Sequence, residues 1–149
     1  MEKELIEDKI ILKSSLESIN RVTSYVDEII SSVEGKLNAA YGNIIISLTE
    51  AVNNAINHGN KNNPEKKITL SYKKNETSVF FTVEDEGNGF DYTNIPDPTA
   101  PENIEKINGR GVFLMKNLVD AIEFLENGRK IKLTVDDKLK LRKWLKTVK

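Results

Sequence analysis

The sequence contains no cysteine and a single histidine. Without cysteine, the chain cannot form a disulfide, a thiolate nucleophile or a cysteine-ligated zinc site. A single imidazole also excludes any site within one chain that needs two histidines, such as the HExxH zinc motif. These two absences remove thiol chemistry and histidine-pair metal chemistry from the candidate functions.

Long apolar runs and an excess of charge of one sign are missing as well. Apolar stretches such as residues 44–46 and 79–81 are far shorter than the roughly 20 residues that span a bilayer. The charged N-terminus does not resemble a signal peptide. The 22 basic and 23 acidic residues leave a net charge of −1, so no positive field would collect nucleic acid or an anionic membrane. We therefore expect a cytoplasmic protein with no direct contact to nucleic acid or membrane.

The composition that remains is that of one globular domain. The 149 residues are 38% hydrophobic and 30% charged, which is typical of a folded protein and not of a disordered one. A chain of this length buries enough surface to hold a core without disulfides or metals.

The periodicity of apolar residues predicts an α+β fold. In chain order the pattern indicates a strand, two helices, two strands, a long loop, a helix and two strands. These elements cover about 5–12, 16–33, 37–58, 68–72, 79–83, 87–111 (the loop), 112–119, 121–125 and 130–135. Ser14 and Glu17 fit a capping box before the first helix. The order predicts a two-layer sandwich, in which helices cover one face of a mixed, mostly antiparallel sheet.

Three polar residues form a stripe on the second predicted helix. Glu50, Asn54 and His58 follow at a spacing of four residues, on the side opposite the apolar face. The stripe offers a carboxylate base and an amide oxygen one turn apart, and an amide oxygen is a suitable ligand for Mg²⁺. The simpler interpretation is a solvated helix face, with His58 as a capping residue that suits the helix dipole. The asparagine-rich segment 53–60 argues against a plain surface helix, because asparagine is a poor helix former.

A second group, Asp85-Glu86-Gly87-Asn88-Gly89, directly follows a predicted strand. It lacks the third glycine of a Rossmann fingerprint and the ligand positions of an EF-hand, and the chain has no Walker A motif. A glycine-rich turn without a ligand is one interpretation. The other is a carboxylate at the end of a strand, followed by two glycines that admit a close neighbour. A buried aspartate there can accept a hydrogen bond from an exocyclic amine such as that of adenine.

A third group, Gly109-Arg110-Gly111, precedes the predicted helix over residues 112–119. Free N–H groups at a helix N-terminus form an anion site, and glycines remove side chains that would obstruct a phosphate. Glycine before a helix is common, so this signal is weak on its own.

Together, the three groups resemble the motifs of the histidine-kinase-like (GHKL, Bergerat-fold) ATPases, and within them the bacterial anti-sigma-factor serine kinases. The N box resembles residues 50–59 (EAVNNAINHG), the first glycine box residues 85–89 (DEGNG) and the second residues 109–115 (GRGVFLM). The resemblance extends over residues 9–135, in the family's element order. It implies that residues 1–136 are the ATPase domain and that residues 137–149 are a basic tail outside it.

The resemblance implies a role for several residues. Asn54 would bind Mg²⁺, Asp85 would bind the adenine amino group, and Glu50 would orient or deprotonate the attacking hydroxyl. Asn57 and His58 would flank and support the site.

The glycines of the two boxes would line the nucleotide; they are Gly87, Gly89, Gly109 and Gly111. Residues 91–107 would form a lid over ATP, and this segment holds four acidic residues and no arginine. Arg110 is therefore the candidate for contact with the γ-phosphate. The chain also departs from the family at Gly128-Arg129-Lys130, where members often carry Gly-Thr.

The function implied is that of an ATP-binding anti-sigma factor with serine/threonine kinase activity. With Mg²⁺ and ATP it would phosphorylate an anti-anti-sigma antagonist, and in an alternative complex it would sequester a sigma factor. Arg21 is the candidate for partner contact, and a homodimer is expected. Three alternatives stay open: a nucleotide-gated binding module without turnover, a stand-alone histidine-kinase-type catalytic domain, and a structural domain without a ligand.

Overall fold

The computed structural model describes residues 6–32, 40–75, 78–88 and 107–136. Its strands and helices follow the predicted order. They are β1 (Ile6–Lys13), α1 (Ser18–Ser32), α2 (Tyr41–Asn54), a π-helix (Ala55–Gly59), β2 (Lys67–Lys74), β3 (Ser78–Glu84), α3 (Ile107–Leu118), β4 (Ala121–Leu125), a 3-10 turn (Glu126–Gly128) and β5 (Lys130–Asp136). The lid segment before residue 107 and the basic tail at 137–149 lie outside the described residues.

The five strands form one open sheet in the order β1-β2-β3-β5-β4. Every pairing in this sheet is antiparallel, so the expected α+β class is confirmed but a mixed sheet was wrong for the part of the chain described. The antiparallel pairing follows from the topology, because β2 and β3 form one hairpin and β4 and β5 form another. β5 then pairs with β3 in the centre of the sheet.

One face of the sheet is buried and carries the core. Alternate residues of the three central strands are buried: Ile68, Leu70, Tyr72, Val79, Phe81, Val83, Ile131, Leu133 and Val135. The period of two places all of these side chains on the same face, where the helices pack. α2 lies in the centre of the helical layer and contacts α1, α3 and β3. Burying each aliphatic side chain contributes roughly 1.5–3 kcal/mol, so this face supplies most of the stability.

The first helix begins later than the capping box predicted. α1 begins at Ser18, whose hydroxyl donates to the carbonyl of Lys13 at 2.7 Å. The hydroxyl of Ser14 is buried and has no hydrogen-bond partner among the residues that the structure describes. The N–H of Ser14 instead donates to the Lys66 carbonyl at 3.2 Å, which extends the β1–β2 pairing by one residue. The sheet thus holds Ser14 in a position where it cannot cap α1.

The predicted second helix, over residues 37–58, corresponds to α2 followed by the π-helix that ends at Gly59, so its last turn is wider than expected. The N–H of Asn60 donates to the carbonyl of Ala55 at 2.7 Å, a step of five residues instead of four. Such π turns occur frequently at functional sites. The predicted start at residue 37 lies outside the described residues, and the described part of α2 begins at Tyr41.

The third helix begins at Ile107 and not at residue 112. Gly109 and Gly111 were predicted to precede this helix, but the structure places both inside it. None of the helices in the described ranges combines the length and apolarity needed to cross a membrane.

Candidate functional site

A cleft opens between the helical layer and one end of the sheet. Its apolar walls come from α2, α3 and the central strands, and include Ala51, Val83, Val112, Met115, Phe124 and Ile131. Asn54, His58 and Asp85 add polar groups to this lining. The empty space is about 450 Å³, part of it open to solvent. Small-molecule sites typically show this mixture of apolar walls with a few polar groups.

Asp85 lines the cleft and directly follows β3. Its residue is 8% exposed, and its N–H donates to the carbonyl of Arg129 at 2.9 Å. Its carboxylate accepts the N–H of Gly87 at 2.7 Å. Burial raises the pKa of the Asp85 carboxyl, against smaller opposing effects from the Gly87 N–H and the positive charge of Arg129. A buried carboxylate with free lone pairs facing a cleft is suited to accept a hydrogen bond from a ligand amine.

Two glycines allow the Asp85 turn to approach the end of the π-helix. A Cβ atom on Gly59 would lie 2.1 Å from Oδ2 of Asp85, and one on Gly87 would lie 1.9 Å from the carbonyl oxygen of Gly59. Both distances are far inside van der Waals contact, so a side chain at Gly59 would displace the Asp85 carboxylate and one at Gly87 would displace the Gly59 backbone. The two glycines therefore allow the end of the first motif, at Gly59, to lie against the second motif, at Asp85 and Gly87.

Asn60 is the residue of this region that the sequence analysis missed. It is 0% exposed, and its side-chain amide bonds with the backbone of Glu86 and Lys67. The sequence shows a cluster of asparagines here, but it does not show which of them is buried. The many asparagines in residues 53–60 were the available indication, but we interpreted them as a feature of the polar helix face.

Glu50 and Asn54 meet Gly111 where α2 packs against α3. A Cβ atom on Gly111 would lie 3.0 Å from Oε2 of Glu50 and 3.2 Å from Nδ2 of Asn54. The structure therefore brings together residues of the first and third motifs that are about 60 positions apart in the sequence. A carboxylate and an amide on one helix face provide hard oxygen donors of the kind that hold Mg²⁺ together with substrate phosphates. The donor set fits a magnesium ion.

His58 and Asn57 lie on the π-helix. His58 lines the cleft, and partial burial lowers the pKa of its imidazole. A lowered pKa favours the neutral ring, which argues against His58 as a charged cap of the helix dipole. Asn57 is exposed and lies outside the set of residues that line the cleft.

The third motif contributes to the site in a different way from the one predicted. Because α3 begins at Ile107, Gly109 and Arg110 belong to its first turn, where backbone N–H groups have no partner within the helix. Gly111 lies one turn in, so the prediction that it opens the helix was wrong. Gly111 instead lies against Glu50 and Asn54. Gly89 lies outside the described residues.

Two arginines lie at the edges of the region. Arg21 is exposed on α1 and lines a separate groove with Lys13, Glu17 and Lys67. Arg129 lies beside Asp85, and its guanidinium is 3.9 Å from the carboxylate of Glu84.

Comparison with known proteins decides the family. The profile of the family described as the histidine kinase-like ATPase domain matches residues 12–135. This chain belongs to the histidine kinase-like ATPase family. The matched range runs from the end of β1 to the end of β5 and includes all three motifs.

Relatives of this ATPase domain include an anti-sigma factor and serine-protein kinases. The chain is 37% identical over 83 residues to an anti-sigma F factor of Bacillus cytotoxicus, covering 54% of this chain and 56% of that protein. It is 28% identical over 127 residues to the serine-protein kinase RsbW of Oceanobacillus iheyensis, covering 79% and 77%. It is 31% identical over 116 residues to the RsbW kinase of Staphylococcus aureus, covering 70% and 73%. The chain thus spans about half of the anti-sigma F factor and about three quarters of the two kinases.

Proposed function

We propose that this ATPase domain binds Mg²⁺ and ATP in the cleft and transfers the γ-phosphate to a serine or threonine of an anti-anti-sigma antagonist. In an alternative complex it sequesters a sigma factor. The main observation that supports the proposal is that Glu50 and Asn54 lie against Gly111, beside a cleft lined in part by Asp85. The names of the relatives support the choice of serine chemistry and of these partners.

The adenine base fits the inner, apolar part of the cleft. Asp85 accepts a hydrogen bond from the exocyclic amino group, while Val83, Met115 and Ile131 lie against the ring. The close approach at Gly87 and Gly59 places the carboxylate at the end of this slot. His58 and Asn57 flank the same end and support it.

The phosphates extend from the base toward α3. N–H groups of the first turn of α3, including that of Gly109, bind their negative charge, and Arg110 contacts the γ-phosphate. Gly87, Gly89 and Gly111 line the nucleotide without side chains that would obstruct it. Asn54 binds Mg²⁺ through its amide oxygen, and the bound ion supplies neutralisation of charge on the phosphates.

Glu50 acts on the acceptor hydroxyl. It lies one helical turn before Asn54 and therefore on the same side of α2, next to the phosphate end of the cleft. From there it orients the serine hydroxyl and takes up its proton as the hydroxyl oxygen bonds to the γ-phosphorus and the bond from that phosphorus to the bridging oxygen breaks, so that ADP leaves. Phosphoryl transfer depends mainly on position and charge neutralisation, so these few groups suffice.

The regulatory part of the proposal concerns the rest of the chain. Residues 1–136 form the ATPase domain, and residues 137–149 are a basic tail outside it. The exposed Arg21 on α1 contacts the partner protein, and the functional unit is a cytoplasmic homodimer.

A second candidate function is a nucleotide-gated binding module with negligible turnover. The acidic composition of segment 91–107, which lacks an arginine for the γ-phosphate, favours it. Both candidates require nucleotide binding, and they differ only in transfer.

The test is phosphoryl transfer by a Glu50→Gln variant. The protein is incubated with radiolabelled ATP, Mg²⁺ and a candidate anti-anti-sigma antagonist from the same genome. We expect acid-stable label on the antagonist with the wild type, and a rate lower by roughly 10²–10⁴ with the variant, because the general base is lost. ADP affinity should be unchanged, and the exposed Glu123→Gln is the matched control.

Three results would contradict this proposal. Transfer by Glu50→Gln at the wild-type rate would remove the assigned role of Glu50. Nucleotide binding without any label on an antagonist that the protein binds would favour the module without turnover. Acid-labile label would indicate histidine phosphorylation instead.

A further inference from the structure

Asn60 connects three segments that meet behind Asp85. Its N–H donates to Ala55 and closes the π turn. Its side-chain Oδ1 accepts the N–H of Glu86 at 2.8 Å, and its Nδ2 donates to the carbonyl of Lys67 at 3.1 Å. Only this orientation of the amide satisfies both partners, since the reversed one would place oxygen against oxygen. The residue is 0% exposed, so these bonds form away from water.

Glu86 closes the arrangement into a ring. Its carboxylate accepts the N–H of Lys67, so Asn60, Glu86 and Lys67 are joined by three hydrogen bonds. The ring links the end of the π-helix, the first residue of β2 and the turn after β3. It fixes the peptide group that directly follows Asp85.

The position of the Asp85 carboxylate depends on its backbone. On one side its N–H is bound to the carbonyl of Arg129, and its carboxylate accepts the N–H of Gly87 two residues on. On the other side the Asn60 ring holds Glu86. A buried amide left without partners is costly, so the ring keeps the turn in one arrangement and preserves the close contact with Gly59.

We propose that Asn60 is a positioning residue that fixes the Asp85 carboxylate for the amino group of an adenine base. The inference rests on the proposed function, because it assigns to Asn60 the selectivity of the same nucleotide site. Asn60 does not itself touch the base. It acts through Glu86 and Asp85, so its loss should change which base is preferred and not only how stable the fold is.

The test compares the affinities of Asn60→Ala for ADP and for inosine diphosphate. Inosine carries a keto oxygen where adenine carries the amino group, so an ordered Asp85 carboxylate should favour ADP. We expect the wild type to prefer ADP and Asn60→Ala to lose on the order of tenfold in that preference, the effect of one hydrogen bond to a charged group. Titration calorimetry of the full chain with Mg²⁺ gives both dissociation constants.

Two comparisons separate positioning from general destabilisation. Val79→Ala removes a buried side chain at the opposite end of β3 and should lower the melting temperature while keeping the wild-type preference. In an Asp85→Asn background, the Asn60 substitution should have no further effect on the preference for ADP over inosine diphosphate. Asn60 acts on the base through the Asp85 carboxylate, which this background lacks.

The outcomes of this test are distinct. A preference for ADP that stays at the wild-type ratio in Asn60→Ala overturns the inference and leaves the nucleotide site intact. No binding of either nucleotide by the wild type overturns the proposed function itself. If Asn60→Ala does not fold, Glu86→Ala opens the ring at an exposed side chain, and an unchanged ratio in that variant overturns the inference.

Discussion

At the scale of single residues, the site depends on glycines, which have no Cβ atom, as much as on the side chains that line it. Gly59 and Gly87 leave room for the Asp85 turn to contact the end of the π-helix, and Gly111 leaves room for Glu50 and Asn54. Each glycine thus serves a close approach between two segments that are distant in sequence. These positions give the most direct tests of the geometry.

Gly59→Ala should damage both stability and ligand binding. The new Cβ would lie 2.1 Å from Oδ2 of Asp85, so the Asp85 carboxylate must move. We expect a loss of about 1–3 kcal/mol in the free energy of unfolding, as for other overpacked sites, together with weaker ADP binding. Denaturant unfolding and ADP titration measure the two effects.

Gly42→Ala is the matched control for that substitution. It lies in α2, and among the described residues no atom outside its own helix backbone and chain neighbours lies within 4 Å of the added Cβ. The change should therefore stabilise the protein by about 0.5–1 kcal/mol through the unfolded state. Equal stability and equal ADP affinity in the two variants would contradict the close contact at Gly59.

The pKa of Asp85 predicts a pH dependence of stability. Burial raises this pKa in the folded state above the ordinary value of 3.8, so the folded protein binds this proton more tightly than the unfolded chain does. The stabilising contribution is present below the ordinary value and is lost as pH rises through the raised one. At neutral pH, the charged carboxylate therefore lowers the stability of the protein without ligand.

Asp85→Asn isolates this effect, because the amide has the same shape and no charge. As pH falls from 7 toward 4, the free energy of unfolding of the wild type should rise relative to that of the variant. Denaturant unfolding of both proteins at several pH values measures the difference. A difference that stays constant, or that falls at low pH, would show that burial does not raise the pKa of Asp85.

At the scale of elements, the packing of α3 against α2 brings Gly111 to Glu50 and Asn54, the end of the site proposed to hold the phosphates. Gly111→Ala tests this contact. The added Cβ meets only the ends of two flexible side chains, at 3.0 Å from Glu50 and 3.2 Å from Asn54. Alanine is also a better helix former than glycine by about 1 kcal/mol. We expect stability within about 1 kcal/mol of the wild type and a large loss of phosphoryl transfer.

The control for Gly111→Ala lies on the exposed side of the same helix. Asn117→Ala changes a residue whose amide donates only within α3, to the carbonyl of Phe113. Its transfer rate should stay near the wild-type rate. A Gly111→Ala protein that is stable and fully active would show that the contact with Glu50 and Asn54 is not needed.

The elements also show which parts of the fold the sequence reveals. β4 and the β2–β3 hairpin were predictable, because alternating apolar residues end at clear turn signals. The start of α3 was not, since Gly109 and Gly111 disfavour a helix locally and packing against α2 outweighs that preference. The cap at Ser14 failed for a similar reason, because pairing with Lys66 extends β1. The motifs for the site were visible, whereas the ring around Asn60 depends on burial that one sequence does not display.

At the scale of the whole molecule, one antiparallel sheet and its helical layer bring together three motifs. The end of β3 supplies Asp85, α2 supplies Glu50 and Asn54, and α3 supplies Gly111. The open end of the sandwich, where β3, β5 and the π-helix meet, leaves the cleft between them. Family membership and this geometry point to the same use of the cleft, which is the binding of an adenine nucleotide.

The most direct measurement is thermal unfolding of the wild type and Asp85→Asn, each with and without Mg²⁺ and ADP. A ligand at 100 times its dissociation constant stabilises a protein by about 2.7 kcal/mol. For a domain of this size, that corresponds to a rise of about 5–10 °C in the melting temperature. The account predicts this rise in the wild type and its loss in Asp85→Asn at the same concentration. No rise in the wild type, or an equal rise in both proteins, would contradict the assignment of the cleft as an adenine site read by Asp85.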